Sequence, residues 1–366
     1  MIYYQSMSIG KIYYQKKEYG GGSGGGGSSD LFDQLVARTI SGSVSCSARV
    51  VGPHALRNCS ALTTVNFPAC TSLGSYAFVS CHALTTANFP VCTRIAEYAF
   101  VSCSALTTVS FPACSYIGWS AFIYCSALTT VSFPACTEID SHAFQSCSAL
   151  TTASFPACTI IGYSAFQSCI ALTTASFPVC SRIADHAFAS CYALTAASFP
   201  VCTLIREYAF QSCSALTTVS FPACMYMESY AFSRCYALTT VSFPVCTGIG
   251  GYAFTYCYAL QTAFFSHSST AASIYGYAFR SCYNLTSLYL LAKTSIYRLA
   301  NGSVFLSTPI STYTTYTGGV YGSVFVPAAL YDAYISASYW SAYSARIVSL
   351  TDEQIARVLA SGTHEA

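Results

Sequence analysis

The sequence carries little charge. Charged residues make up 8% of its 366 residues, whereas hydrophobic residues make up 54%. Residues 59–290 contain five arginines, six acidic residues and no lysine. Because proteins that bind nucleic acid need a basic surface, this composition argues against a nucleic-acid partner. The hydroxyl groups of Ser, Thr and Tyr must therefore supply most of the polar surface.

Long apolar runs, a leader sequence and catalytic motifs are also missing. Ser, Thr or Pro interrupts each apolar stretch before it reaches the roughly 18 residues of a membrane span. Residues 1–20 lack the basic and then apolar regions of a signal peptide, so classical secretion is not supported. Neither a Cys-x-x-Cys pair nor a G-x-S-x-G motif occurs. We therefore expect no membrane span, no enzyme activity, no metal and no cofactor.

A 22-residue repeat dominates the chain instead. Cysteines recur every 22 residues in two series, one running from Cys59 to Cys257 and the other from Cys70 to Cys246. One unit reads CSALTTVNFPACTSLGSYAFVS over residues 59–80, and nine such units fill residues 59–256. A tenth unit, 257–281, is three residues longer. A fixed period of this length predicts a solenoid in which each unit is one coil and buries its core against its neighbours.

The first half of each unit has the alternation of a β-strand. Val65 and Phe67 are predicted to face the core, and Thr64 and Asn66 the opposite side. Pro68 ends the strand because proline has no amide hydrogen to donate. Stacking such strands places Thr, Ser and Asn in regular ladders on the outer face. We interpret these ladders as a solvated sheet surface and weigh an ice-binding array against that interpretation.

The second half of each unit has helical spacing but is short. Leu73, Ala77 and Phe78 are its apolar residues, which predicts a single helical or 3-10 turn. The 21 cysteines are expected to act as small buried apolar residues. Stacked coils would hold their β-carbons in parallel, which disfavours the disulfide dihedral angle.

The recurring pattern A-L-T-T-V-S-F-P-x-C-T-x-I-G-x-x-A-F-x-x-C resembles the BspA-like, Treponema-type leucine-rich repeats over about residues 50–290. The cysteine at the Cys70 position departs from that family, which usually has an aliphatic residue there. The resemblance implies a right-handed solenoid with one parallel β-sheet face, mostly β with short 3-10 or helical turns. It also implies a surface or adhesion role.

The two ends leave the repeat, and six segments are expected. Residues 1–19 predict a β-hairpin, and residues 20–29 are a Gly/Ser linker. Residues 30–58 form the next segment, in which Asp30 is the expected N-cap of a short helix over 31–39 and residues 40–58 are a degenerate first coil. The solenoid spans 59–290, a small α/β cap 291–350, and a short helix or tail 351–366.

Within the cap, residues 303–306 and 322–327 predict strands and 328–337 a helix, and Trp340 would close the last coil. The stretch GSVFVPAALYDAY followed by Trp340 resembles C-terminal caps of repeat proteins from gut Firmicutes and their prophages. The Ile-Tyr-Tyr start resembles prophage tail-associated proteins. These resemblances imply a bacterial surface or a virion as the place of display.

Some positions vary between coils whose strands barely change. They carry aromatic, Arg and His residues, the side chains typical of contact surfaces, although drift on a solvated loop would also vary them. The candidate ligand-binding residues are Arg94, Tyr116, Trp119, Tyr124, His142 and Tyr226. The sequence thus favours a non-catalytic binding or adhesion module for a protein or glycan. The alternative is a structural or receptor-binding component of a phage tail.

Overall fold

The computed structural model describes residues 40–268, 271–311 and 321–361. The chain folds as a parallel-strand β-solenoid with coils of about 22 residues. It divides into two compact units, residues 1–177 and 178–366. The hairpin, linker and capping helix predicted for residues 1–39 lie outside the described residues.

In the first unit, each coil contributes one strand to each of two parallel ladders. The odd-numbered strands make up the first ladder, which consists of two hydrogen-bonded sheets. One contains β1 (Ser41–Ser45), β3 (Ala61–Asn66), β5 (Thr86–Asn88) and β7 (Thr108–Ser110), and the other contains β9 (Thr130–Ser132), β11 (Thr152–Ser154) and β13 (Thr174–Ser176). The even-numbered strands form the second ladder: β2 (Val50–Val51), β4 (Ser72–Leu73), β6 (Arg94–Ile95), β8 (Tyr116–Ile117), β10 (Glu138–Ile139) and β12 (Ile160–Ile161).

The register of both ladders follows the repeat. Thr86 of β5 pairs with Thr64 and Thr108, its equivalents in the coils before and after. The degenerate first coil joins in the same way, since Val51 pairs with Leu73. The predicted core residues of the strand are fully buried, and those of the outer face are not. The sequence therefore predicts both the strand and its orientation correctly.

The second ladder was not predicted. The pattern Leu73, Ala77 and Phe78 indicated a helical turn, but Leu73 lies in β4. Ala77 and Phe78 follow in hydrogen-bonded turns, and the Phe78 amide donates to the Ala99 carbonyl of the next coil at 2.8 Å. The predicted turn is present as i→i−3 hydrogen bonds, as from the Val79 amide to the Tyr76 carbonyl at 3.4 Å, but short-range spacing cannot reveal the hydrogen bonds between coils.

The second unit contains strands of the same two kinds. The first-ladder strands are β15 (Ala196–Ser198), β17 (Thr218–Ser220), β19 (Thr240–Phe243), β21 (Thr262–Phe265), β23 (Ser287–Leu290) and β25 (Ser323–Pro327), and β26 (Ile347–Leu350) pairs with β25. The second-ladder strands are β14 (Arg182–Ile183), β16 (Leu204–Ile205), β18 (Tyr226–Met227), β20 (Gly248–Ile249), β22 (Ala272–Ile274) and β24 (Tyr297–Leu299).

Among the described residues, helices occur only near the C-terminal end. Helix α1 spans Tyr331–Ser336 and helix α2 spans Asp352–Ser361, with 3-10 helices at Ala328–Leu330 and Trp340–Arg346. Trp340 is fully buried, and its indole Nε1 donates to the Tyr297 carbonyl at 2.6 Å.

The segment 303–306 was predicted as a strand, and that prediction is wrong, because the segment forms turns. Phe305 stacks on Phe279 with ring centroids 5.8 Å apart, so it takes the place of the second Phe of a repeat. The strand and helix predicted for 322–337 agree with β25 and α1.

The last strands of the first ladder bury their outer face as well. Phe264, Tyr289 and Phe325 stand in register where earlier coils carry Ser or Asn. They form a small cluster with Leu350 and with Val358 of α2. Aromatic residues therefore replace hydroxyls at the point where a helix covers the sheet.

Candidate functional site

A turn-rich wall closes each coil, and it holds two left-handed residues. Tyr76 and Ser80 both have φ of 59°, and their equivalents in every repeat have φ between 52° and 63° without being glycine. Their amides donate to the next coil, as Tyr76 does to the Glu97 carbonyl at 3.2 Å and Ser80 to the Val101 carbonyl at 2.8 Å. The fold thus imposes this conformation on whichever residue occupies the two positions, and the side chains there are free to vary.

An aromatic ladder runs along this wall in the first unit. Tyr76 stacks on His54 at 4.9 Å and on Tyr98 at 4.7 Å between ring centroids. The ladder continues through Trp119, which lies 4.9 Å from Tyr98 and 6.4 Å from His142. Two of the candidate residues, Trp119 and His142, are therefore neighbours in one ladder.

Trp119 contributes its ring to this ladder although it stands one residue before the Tyr76 position of its coil. At the Tyr76 position its coil has Ser120, which is buried. The same exchange recurs two coils later, where Ser164 is buried and the preceding Tyr163 lies 5.1 Å from the ring of His142. The wall thus keeps one aromatic ring per coil although the residue that provides it changes.

Arg94 and Tyr116 form a second pair of candidates in contact. The Arg94 guanidinium carbon lies 3.9 Å above the centre of the Tyr116 ring. The Tyr116 hydroxyl donates to Asp140 Oδ2 at 2.6 Å. Burial, the hydrogen bond and the negative charge of Asp140 together raise the pKa of Tyr116 to about 12. Tyr116 is therefore committed to contacts within the protein, which weakens its role as a ligand anchor.

Tyr124 is the most exposed of the aromatic candidates. It occupies the Ser80 position with φ of 61°, and 53% of its surface is accessible, compared with 42% for Trp119. Its ring contacts no other candidate ring in the described part of the chain.

Tyr226 belongs to the second unit and lines a charged cleft of about 380 Å³ together with Asp185, Arg206, Glu207, Glu228 and Ser229. Arg206 Nε lies 3.1 Å from Asp185 Oδ1 and 3.8 Å from Glu228 Oε2. The hydrogen bond with Asp185 contributes most to raising the pKa of Arg206. The arginine is thus neutralised by its own neighbours. Tyr226 packs over Gly248, where any side chain would collide with the ring.

Sequence reasoning missed a group of exposed tyrosines in the second unit. Tyr258 stacks on Tyr236 at 5.1 Å and on Tyr283 at 5.3 Å. The signal was present at the Ser60 position, which is Ser in most of the earlier coils and Tyr in these three. A further ladder at the Tyr76 position runs through His186, Tyr208, Tyr230, Tyr252 and Tyr277 at 4.6–4.8 Å.

The hydroxyl-rich sheet face behaves differently, because many of its polar groups bond to their neighbours. Thr85 Oγ1 donates to the Thr63 carbonyl at 3.0 Å, and Thr107 Oγ1 donates to the Thr85 carbonyl at 3.1 Å. The Asn88 amide donates to Asn66 Oδ1 at 2.8 Å. This face therefore offers uniform groups that are partly satisfied within the protein.

Two further findings concern metal ligands and membrane-spanning helices. In residues 40–268, 271–311 and 321–361, no group of three or more His, Cys, Asp or Glu side chains is placed to hold a metal ion. No helix within these ranges is both long and apolar enough to cross a membrane.

The repeat and the solenoid fold agree with the similarity of this chain to a known repeat family. The family model of the BspA type leucine-rich repeat region matches residues 32–151, 137–261 and 181–308, with six copies. No curated protein sequence matches the chain.

Several solved structures are similar to this chain. A leucine-rich repeat protein from Bacteroides ovatus is 20% identical over 79% of this chain and 88% of that one, with a TM-score of 0.42. A leucine-rich cell surface protein from Faecalibacterium prausnitzii is 23% identical over 81% and 86%, with a TM-score of 0.41. The pneumococcal vaccine antigen PcpA is 13% identical over 85% and 78%, with a TM-score of 0.46.

The matched regions of the family model together cover most of the chain. The chain therefore belongs to the family of BspA type leucine-rich repeat proteins.

Proposed function

We propose that this chain is a non-catalytic binding module that attaches a bacterial surface or a phage tail to a protein or glycan through the turn-rich wall. The observation that carries the proposal is the contrast between its two surfaces. The sheet face repeats the same hydroxyls and uses many of them internally. The turn-rich wall exposes large aromatic side chains whose identity changes from coil to coil.

Exposed aromatics on a rigid repeat scaffold are suited to recognition. Trp and Tyr dominate the binding energy of interfaces because they bury a large area with few rotatable bonds. Trp119 is tilted by 59° from Tyr98 and by 53° from His142, so its ring is not enclosed in a parallel stack. Trp119 and Tyr124 are therefore the anchors that we assign in the first unit.

The test compares two double variants on arrays of immobilised glycans and extracellular-matrix proteins. The variant Trp119→Ala with Tyr124→Ala should lose the attachment that the parent protein shows. Its melting temperature should change little, because both side chains lie on the surface, 42% and 53% exposed. Tyr116 is left intact, since its bond to Asp140 makes its removal a structural change.

The control is Thr108→Ala with Ser110→Ala, which alters the exposed sheet face of β7 in the same unit. Attachment should survive these changes. If attachment is lost in the control and kept in the aromatic variant, the ligand binds the sheet face and the proposal is wrong.

A further inference from the structure

The exposed tyrosine stack of the second unit is one part of a larger polar cluster. Tyr236, Tyr258 and Tyr283 are 41%, 39% and 47% exposed, although each is stacked on at least one other ring. Tyr258 has a neighbour on both faces, so its exposed surface consists of ring edge and hydroxyl. The three rings form a row with regular steps of 5.1 and 5.3 Å, one step per coil.

Two arginines adjoin this row through Tyr256. The Tyr256 ring lies 6.1 Å from Tyr258 in an edge-to-face contact. The guanidinium carbons of Arg234 and Arg280 each lie 5.9 Å from the centre of the Tyr256 ring. That distance is at the outer limit of a cation–π contact, so these contacts orient the arginines only weakly.

The two arginines of the cluster have hydrogen-bond donors that the protein does not use. Neither arginine forms an ion pair or a side-chain hydrogen bond with any residue in the described part of the chain. The acidic residues of this unit's repeats line the separate cleft around Arg206. The cluster therefore presents two uncompensated positive charges beside several tyrosine hydroxyls, and every one of these groups can donate a hydrogen bond.

Local stability does not explain the residue types. Arg234 and Tyr256 have φ of 61° and 63° at the position where most coils carry Ser or Asn. The left-handed conformation costs a long side chain as much as a short one, and Arg234 is exposed, so it gains little from packing. The fold imposes this conformation in every coil and does not require an arginine or a tyrosine there.

We propose that Arg234, Tyr236, Tyr256, Tyr258, Arg280 and Tyr283 form a binding site for a linear acidic polysaccharide. This inference rests on the proposed binding function and names the ligand class for one surface. The guanidinium and hydroxyl donors of the cluster suit a ligand rich in carboxylate or sulfate oxygens. Such oxygens pair with guanidinium groups through charge-assisted hydrogen bonds. A row of hydroxyls at regular steps fits a chain that itself repeats.

Two other polyanions fit the cluster less well. Single-stranded nucleic acid needs free aromatic faces on which to stack its bases, and the faces of Tyr258 are occupied by its neighbours. An acidic protein would anchor hot-spot side chains in desolvated pockets, whereas Tyr258 at the centre of the row offers only its ring edge and hydroxyl. Both ligands are therefore outcomes that would overturn the proposal.

The experiment titrates the full chain by calorimetry with five probes: heparin, polygalacturonate, neutral dextran, poly-L-glutamate and oligo-dT. We expect heparin or polygalacturonate to bind, with an affinity that falls as salt increases, and dextran not to bind. Binding of heparin alone identifies sulfate as the recognised group, and binding of polygalacturonate alone identifies carboxylate. Either result supports the proposal.

Matched variants separate this site from general charge attraction. Arg234→Gln with Arg280→Gln, and separately Tyr258→Ala, should weaken binding by about tenfold or more. Arg49→Gln with Arg57→Gln removes the same charge from exposed arginines of the first unit and should leave the affinity within about twofold. Melting temperatures measured alongside show that each variant is folded.

Three results would overturn the proposal: no binding to either acidic polysaccharide, equal or tighter binding to poly-L-glutamate or oligo-dT, or equal losses in both arginine variants. These results leave the proposed function standing if a ligand from the arrays still depends on Trp119 and Tyr124. If array ligands bind equally well without Trp119 and Tyr124, the proposed function is refuted, whatever the outcome with the polysaccharides.

Discussion

The thiol of Cys103 donates a hydrogen bond to the carbonyl oxygen of Phe78, which lies 25 residues earlier in the chain and 3.0 Å away. The equivalent bond recurs along the repeat, as from Cys125 to the Phe100 carbonyl at 3.1 Å. Cysteines of the second series bond within their own coil, as Cys92 does to the Arg94 carbonyl at 3.3 Å. Cysteine therefore fills a narrow core and also satisfies backbone carbonyls, which an aliphatic side chain cannot do.

Thiol reactivity follows from this burial. Cys46 is 9% exposed, and each of the other twenty cysteines is fully buried. With Ellman's reagent at pH 8, we expect the native protein to react at Cys46 alone, and the Cys46→Ala variant to show no fast phase. Denatured without reductant, the protein should expose all 21 thiols. Recovery of about one thiol after denaturation would show that the cysteines are paired instead.

The buried thiols should also make the protein sensitive to alkali. Burial raises the pKa of Cys114 to about 11 and that of Cys136 to about 12, from an ordinary value of 9.0. The folded state then retains protons that the unfolded chain releases, so this stability is fully present below pH 9 and is lost as pH rises through 11 to 12. Urea unfolding between pH 8 and 11 measures the decline.

The control for that decline is the double variant Cys114→Ala with Cys136→Ala. It is less stable at pH 8, but its free energy of unfolding should fall less steeply with pH because two titrating groups are gone. A free energy of unfolding that stays constant from pH 8 to 11 in the parent protein would contradict the assigned burial.

The stacked phenylalanines should carry much of the stability. Phe144 is fully buried and stacks on Phe122 and Phe166, each at 5.2 Å between ring centroids. Phe144→Ala should lower the free energy of unfolding by about 3–5 kcal/mol, the usual cost of truncating a buried Phe. Urea denaturation provides the measurement, and Ser148→Ala, on the surface of the next coil, provides a neutral reference. Equal stability of the two variants would mean that the Phe ladder is not core.

The repeat itself can be tested by deletion. Removing residues 125–146 takes out β9 and β10 together and rejoins equivalent positions, so a shorter solenoid should fold. Removing 125–135 takes out β9 and retains β10, which puts the first ladder out of phase. Calorimetry should show one cooperative transition for the first deletion and a broadened, lower transition for the second. Similar transitions would refute the 22-residue unit.

Most of the fold could be predicted because the sequence repeats it. The burial of Val65 and Phe67 follows from alternation, and ten copies reinforce the pattern. The second ladder at Ser72 and Leu73 could not be predicted, because two residues are too few to show a period. The error at 303–306 has a related cause, since Val304 and Phe305 have strand propensity but occupy the turn positions of a coil.

The site was predicted less completely. Variation between coils pointed to the wall on which Trp119 and Tyr124 are exposed, and the role of these residues in binding stays a prediction. It could not show that Tyr116 donates its hydroxyl to Asp140, since that contact crosses to the next coil. The cluster around Tyr258 was missed because its residues come from three different positions of the repeat, which only the folded coil brings together.

The left-handed positions offer a way to stabilise the protein without touching its core. Ser102 has φ of 57°, a conformation that costs an L-residue roughly 1–2 kcal/mol and costs glycine almost nothing. Replacing Ser102 by glycine removes this conformational cost, but glycine also has more freedom in the unfolded chain, which offsets part of the benefit. Ser102→Gly should therefore raise the free energy of unfolding by about 0.5–1 kcal/mol. Ser102→Val should lower it by at least as much, since a branched β-carbon fits this conformation worst. Urea denaturation of the two variants and the parent gives the order Gly, Ser, Val. The reverse order would show that the residue does not adopt the left-handed conformation in solution.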